Sequence, residues 1–252
     1  MNVQAYLDRI GYLGTAEPTA ENLKKLQRAH LTSVPYENID ILLGRRILLD
    51  RESLFKKIVT DRRGGYCFEL NELFGWLLSE IGYEVKNCVA RYHRGETGMP
   101  KRRHQVLIVT VPDTKARFLC DVGVGAVVPM EPVPMDTEDT SIQSNGEYRI
   151  YDSGALGYML SERYNDSWRD VYSFTQEEQY SVDFIFPSFW CEFAEDSPFN
   201  KTYMLAIRKG ESRFTLDGNL FREFSESGVT ERELSEDELQ KVISEVFGIV
   251  IK

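Results

Sequence analysis

Only three histidines occur in the sequence, His30, His93 and His104, so any imidazole chemistry has three candidates. The four cysteines, Cys67, Cys88, Cys120 and Cys191, form no Cys-x-x-Cys pair and fall at irregular intervals. That spacing points away from a disulfide scaffold and from a zinc knuckle, so no metal is expected and a reducing, cytoplasmic location is implied. No stretch reaches the ~18 consecutive apolar residues of a membrane span. Met1 to Tyr12 carries Asp8 and Arg9 inside its apolar pattern and has no signal-peptide core, so secretion through a cleaved signal is not expected. Basic residues are outnumbered, with 30 Lys+Arg against 40 Asp+Glu and a formal charge of −10. An acidic chain offers no general electrostatic footprint for nucleic acid or for an anionic membrane. The sequence shows neither an internal repeat nor a low-complexity segment.

Hydrophobic residues make up 42% and aromatic residues 12% of the 252, which excludes a disordered chain. A chain of this length is expected to form one compact unit with two or three sub-domains and needs no staple for stability. The first third reads as helical. Val3, Tyr6, Leu7 and Ile10 recur at helical spacing. Thr19 and Asp50 are placed to cap two further helices. A fourth begins near Cys67, carries Leu73, Phe74, Leu77, Leu78 and Ile81, and stops at Gly82. After Gly82 the period changes. Tyr83–His93, Val106–Val111, Arg117–Val122, Tyr158–Tyr164 and Trp168–Phe174 are short runs rich in β-branched and aromatic residues, with a hairpin turn expected at Asn145-Gly146. An antiparallel sheet or barrel follows. Between Tyr180 and Phe193 a helical pattern is interrupted by Pro187. Strands resume at Thr202–Arg208 and Arg213–Leu216, with a second turn at Asp217-Gly218. Ser235 and Glu238 form a capping box for a last helix, and the acidic stretch Glu231 to Glu238 reads as its solvated start.

Three segments carry chemistry. In Arg63-Gly64-Gly65-Tyr66-Cys67-Phe68-Glu69-Leu70-Asn71, a cysteine follows two glycines and opens a helix. The positive end of a helix favours a thiolate, although a buried core cysteine is the plainer reading of that residue alone. His104 opens an apolar strand, where by itself it would only end a turn. Asp121 ends a strand and runs into Gly123-Val124-Gly125, where an acid often just satisfies backbone amides. Together they supply a nucleophile, a base and an acid to orient the base. The spacing is compatible with a Cys-His-Asp triad and leaves a hydrolase and an acyltransferase both open.

The same residues resemble the arylamine N-acetyltransferase family. Its Arg-Gly-Gly-x-Cys-x-Glu-x-Asn segment is matched by Arg63, Gly64, Gly65, Cys67, Glu69 and Asn71. Its strand-opening His is matched by His104, and its Asp-x-Gly-x-Gly by Asp121, Gly123 and Gly125. An upstream Val-Pro-x-Glu-Asn is matched by Val34, Pro35, Glu37 and Asn38. Ser197-Pro198 resembles a further pair more loosely. The chain departs from the family at Tyr36 and Val124, where Phe is common. Both positions lie near the family's acceptor pocket.

The resemblance implies an α+β fold with a cysteine-protease-like Cys-His-Asp core. Its parts would be a helical bundle at 1–82 carrying the nucleophile, an antiparallel β-barrel at 83–192 carrying the histidine and the aspartate, and an α/β lid at 193–252. It implies ping-pong transfer of acetyl from acetyl-CoA, as co-substrate, through Cys67 to an arylamine, hydrazine or N-hydroxyarylamine. His104 would shuttle protons and Asp121 would hold it. Tyr36 and Val124 would line the acceptor pocket. Beside a CoA site, the basic cluster at Lys101, Arg102 and Arg103, with Arg91, His93 and Arg94 nearby, could hold phosphates, and Gly123 and Gly125 could let backbone approach the donor. A solvated loop and an ordinary strand-end turn are the plainer readings of those segments. Glu69 and Asn71 read as support, His30 as a core residue, and Cys88, Cys120 and Cys191 as buried and inert. An amide synthase or a transferase of another acyl-CoA would carry the same triad. A papain- or transglutaminase-like hydrolase is the alternative of a different class. A non-enzymatic binding module would need a vestigial triad, and three intact members argue against it.

Overall fold

The computed structural model describes residues 1–125 and 128–251. Helix α1, Val3–Ile10, is capped by Asn2 and ends at Gly11. Helix α2, Ala20–Ser33, is capped by the Thr19 hydroxyl. A short α3, Ile39–Leu42, precedes α4, Arg51–Phe55, which Asp50 caps and which runs on into a π turn, Lys56–Thr60. Helix α5, Cys67–Ile81, closes at Gly82, whose φ of 108° needs a residue without Cβ. Every residue from Cys67 to Leu78 is buried. A helix this apolar all round must be covered on all sides. Tyr6, Leu54 and Ile58 join its side chains in one core, and the sheet supplies Val89, Leu107 and Val109.

The sheet has eight antiparallel strands: β1 Glu84–Tyr92, β2 Arg102–Thr110, β3 Arg117–Cys120, β4 Val133–Pro134, β5 Ser141–Gln143, β6 Gly146–Asp152, β7 Tyr158–Tyr164 and β8 Ser167–Phe174. Their order is β4-β3-β2-β1-β8-β7-β6-β5, curled into a nearly closed barrel. Alternation divides β2 between two cores. Leu107 and Val109 face α5, while Val106 and Ile108 fill the barrel with Cys88, Ile150, Leu160 and Tyr172. Both faces are buried, which explains the unbroken apolar run from Val106.

Helix α6, Ile185–Phe193, follows a 3₁₀ turn. Pro187 sits in its first turn, where the missing N–H has no intrahelical partner, so it does not break the helix. A second antiparallel sheet follows, with β9 Met204–Lys209, β10 Ser212–Asp217, β11 Leu220–Ser225 and β12 Gly228–Glu233. Helix α7, Glu236–Glu245, covers it, packing Leu239, Val242 and Ile243 on Leu205, Ile207 and Leu216.

Three expectations shift. Each hairpin turn lies one residue from where it was expected, because Gln143 pairs with Gly146 and Asp217 with Leu220. The acidic stretch from Glu231 divides: Glu231 to Glu233 end β12, and the helix begins at Glu236. That strand is exposed throughout and has no buried alternation to reveal it, while its charges keep an open sheet edge solvated.

Candidate active site

The nucleophile loop is held from below. Glu37 accepts from the Nε of Arg63 at 2.9 Å, and Arg63 also reaches Asp40 at 3.2 Å. Lys57 Nζ joins Asp40 at 2.8 Å to Glu69 at 2.7 Å. Glu69 in turn accepts the Tyr66 backbone N–H at 3.1 Å, which fixes the first turn of α5. Gly64 and Gly65 are required by proximity, since a Cβ on Gly64 would fall 2.0 Å from the Pro35 carbonyl oxygen and one on Gly65 2.7 Å from a Glu69 carboxylate oxygen. Cys67 is therefore delivered at the N-terminus of a rigid helix, against the end of the barrel.

His104 reaches the same point from β2. Its Nε2 lies 2.7 Å from Asp121 Oδ2. The other oxygen of Asp121 accepts the Gly123 N–H at 2.8 Å and Asn71 Nδ2 at 3.0 Å. Asn71 also donates to the Gln105 carbonyl at 2.7 Å and accepts the Val122 N–H at 3.0 Å. One buried amide on α5 thus ties the strand carrying the histidine to the loop carrying the aspartate. The Cys67 thiol, 3.9 Å from the Arg103 carbonyl oxygen, lines the same cleft as the His104 imidazole, and the two groups are electrostatically coupled. With Nε2 committed to Asp121, Nδ1 is left for the sulfur.

Burial pushes the Cys67 thiol above its ordinary range, and the His104 imidazole pulls it back down. The helix N-terminus alone does not deliver a free thiolate here, because desolvation opposes it. Burial would also lower His104, but the adjacent Asp121 carboxylate prevails and pushes the imidazole up to about 10. The two groups form a coupled pair in which the imidazole is ready to hold the thiol's proton. The other cysteines lack such a partner. Burial drives Cys88 and Cys191 up to about 12 and Cys120 well above its ordinary value.

These groups open into a cleft of about 410 Å³ lined by Tyr36, Cys67, His104, Gly123, Val124 and Gly125, with Phe199 and β10–β11 opposite. Gly123 packs on the nucleophile, where a Cβ would fall 2.6 Å from Cys67 Cα. Gly125 packs on the Tyr36 ring, where a Cβ would fall 2.6 Å from Cδ1. Tyr36 bridges the parts by pairing with Gly65 on one side and Ala206 of β9 on the other.

Arg102 and Arg103 separate. A bulge between β1 and β2 pairs Ala90 with His104 and Arg91 with Arg102, leaving Arg103 as the extra residue. Arg103 and His104 both line the cleft. Arg102 is a correction: it turns outward to Thr175 and Glu177. Arg103 lies over the Trp190 and Phe199 rings and pairs with Glu96. Three other arginines line the cleft: Arg94, Arg213 and Arg222. Arg94 stands beside the basic cluster read from the sequence, whereas no motif marked Arg213 and Arg222, which the β10–β11 hairpin brings to it. Burial, with Arg208 and Arg94 nearby, pushes Arg213 down to about 10. His30 lies in the helical core, bonded to the Tyr6 hydroxyl at 3.0 Å, and His93 bonds Ser173 at 2.9 Å.

A helical bundle docked on an antiparallel barrel, with thiol, imidazole and carboxylate meeting at the seam, defines the class of α+β proteins with a cysteine-protease-like core. A model of the N-acetyltransferase family matches residues 19–252. An arylamine N-acetyltransferase of Mycobacterium bovis is 32% identical over 254 residues, covering 99% of this chain and 89% of that protein. An arylamine N-acetyltransferase / N-hydroxyarylamine O-acetyltransferase of Salmonella typhimurium is 30% identical over 251 residues, covering 98% and 88%. The solved structure of Mycobacterium marinum arylamine N-acetyltransferase in complex with CoA superposes with a TM-score of 0.92 at 31% identity, covering 98% of this chain and 93% of that one. The chain belongs to the arylamine N-acetyltransferase family.

Proposed function

We propose that this protein is an acetyl-CoA-dependent arylamine N-acetyltransferase working through Cys67, His104 and Asp121 by a ping-pong mechanism. The observation that carries the reading is the His104–Asp121 hydrogen bond at 2.7 Å, with Cys67 and His104 lining one cleft. His104 takes the thiol proton as Sγ attacks the acetyl-CoA carbonyl. The new S–C bond forms, the CoA sulfur leaves, and the imidazolium returns the proton to it. An amine then attacks the acetyl-cysteine, its proton passes to His104, and the Cys67 sulfur departs. Asp121 stabilises the imidazolium in both halves. The parts are supplied by units 1–82, 83–192 and 193–252, and the first core runs across all three, joining α5 to Leu107 of the barrel and to Phe199 and Ala206 beyond it.

Arg94, Arg213 and Arg222, with Arg103, are the groups we assign to the anionic part of the donor, in place of Arg102. Guanidinium forks suit phosphate oxygens, and no side-chain hydrogen bond or ion pair to an acid is seen for Arg213 among the described residues. Replacing Arg213 with methionine should raise the KM for acetyl-CoA about tenfold or more while leaving acylation by p-nitrophenyl acetate, which has no phosphate, unchanged. An equal loss with both donors would remove Arg213 from donor binding.

Transfer and hydrolysis begin with the same acyl-cysteine and differ in what resolves it. Tyr36 and Val124 are proposed as part of the acceptor wall. The rings and aliphatic groups at that wall limit water, so aromatic amines or hydrazines should consume acetyl-CoA much faster than water does. Steady-state CoA release with and without amine measures this, and equal rates would make the protein a thioesterase. Val124→Phe should narrow the range of acceptors and leave acetylation of Cys67 intact. Loss of acetylation in that variant would place Val124 in the donor path.

A further inference from the structure

Helix α6 carries its large apolar side chains on its outward face, while Ser188 and Glu192 are among its buried residues. Phe184, just before it, and Ser188 and Cys191 point into the protein. Val182, Ile185, Phe186, Phe189 and Phe193 recur at spacings of three and four on the opposite side, and all are exposed, Phe186 to 83%. Phe189 and Phe193 touch at the surface, their centroids 4.7 Å apart and their planes tilted by 43°. A stripe of this kind is what a helix ordinarily turns to a core, yet here it faces solvent. Beside it the segment before α4 forms the other wall of a groove of about 440 Å³, where Leu48 is exposed.

We propose that this face binds a second copy of the same chain, making a two-fold dimer in which Phe186 of each copy enters the groove of the other. Three arguments favour a copy over any other occupant. At ~150–250 Å² per aromatic side chain, and somewhat less for the aliphatic ones, the six residues present roughly 700 Å². That exceeds the ~300–600 Å² of the largest patch on a typical monomer and approaches the ~800 Å² that each partner of a standard interface buries. A protruding ring and a groove stand side by side on one surface, so a two-fold axis satisfies both at once. The rim carries both signs, with Arg46 and Asp50 at the groove and Asp183 at the helix, and the chain has a net charge of −10. A mixed rim on an acidic chain suits a copy of itself and gives no attraction to an anionic lipid surface.

Sedimentation velocity from nanomolar to high micromolar protein tests the proposal. A concentration-dependent dimer of the 29.1 kDa chain is expected. Phe186→Asp on the helix and Leu48→Asp in the groove should each weaken dimerisation about a hundredfold, the loss typical of a central contact residue. Both side chains are largely outside the core of the single chain, so circular dichroism and acetylation of Cys67 should match the parent protein. A chain that stays monomeric throughout the range overturns the proposal, as does a dimer indifferent to both substitutions. Monomers that bind phosphatidylcholine vesicles would assign the face to a membrane and overturn it equally.

Discussion

Incubated with acetyl-CoA and no acceptor, the protein should gain one acetyl group, and peptide mapping should place it on Cys67. The expectation rests on geometry that no other cysteine shares. Cys67 lines the cleft together with the His104 imidazole, which lowers its thiol pKa. Cys88, Cys120 and Cys191 are buried, and desolvation holds each of their thiols far from ionisation. Intact mass should rise by one acetyl and fall back when an arylamine is added. Cys67→Ser should lose transfer by roughly 10⁴-fold or more, since removing one member of such a unit costs nearly as much as removing all. Serine keeps the size of the side chain, but its hydroxyl is a far weaker acid than a thiol. Unmodified protein, or acetyl confined to lysines, would end the assignment.

Asp121→Asn should lower kcat by roughly 10⁴-fold with the fold retained. Oδ1 can keep its bonds from the Gly123 N–H and Asn71 Nδ2. The new amide NH₂ then faces Nε2 of His104 as a donor. The ring must present Nε2 as an acceptor and carry its proton on Nδ1, toward the sulfur, where a base is needed. Near-normal turnover would remove Asp121 from the mechanism. The same geometry sets a pH dependence. Moving a proton from Cys67 to His104 leaves the pair's proton count unchanged, so the ion pair persists over the range between its two outer titrations. Burial raises the Cys67 thiol, and the imidazole, held up at about 10 by Asp121, opposes that rise. Alkylation of Cys67 should therefore set in at lower pH than alkylation of Cys88, Cys120 or Cys191, which have burial without an imidazole. In His104→Ala burial acts alone, and the midpoint should move further up. An unmoved alkylation profile would show that the imidazole does not activate the thiol.

Burial and activation thus pull Cys67 in opposite directions, and the residues that decide the balance differ in how visible they are in the sequence. Arg63, Glu37 and Glu69 stand in recognisable segments, yet their link through Asp40 and Lys57 is a contact network among α3, the π turn and α5. Nothing in the spacing announces it. Asn71 reads as a first-turn helix residue, and only the packing of α5 against β2 shows it binding Asp121 and two backbone groups at once.

Local chemistry determined the elements. Caps at Thr19, Asp50 and Ser235, the stop at Gly82, and the change of period after it are short-range signals, read from residues within one turn or one hairpin. The nucleophile, base and acid were legible for the same reason, since each sits in a short segment whose glycines and polar residues answer local needs. Tertiary structure decided what depends on contacts between distant segments. One inserted residue in β2 aims Arg103 into the cleft and Arg102 away from it, and a bulge depends on the partner strand. Arg94 meets Arg213 and Arg222 only because Tyr36 joins the second sheet to the nucleophile loop. The exposed side of α6 has the same origin. Its sequence is mostly apolar, and only the packed fold reveals which side is left uncovered.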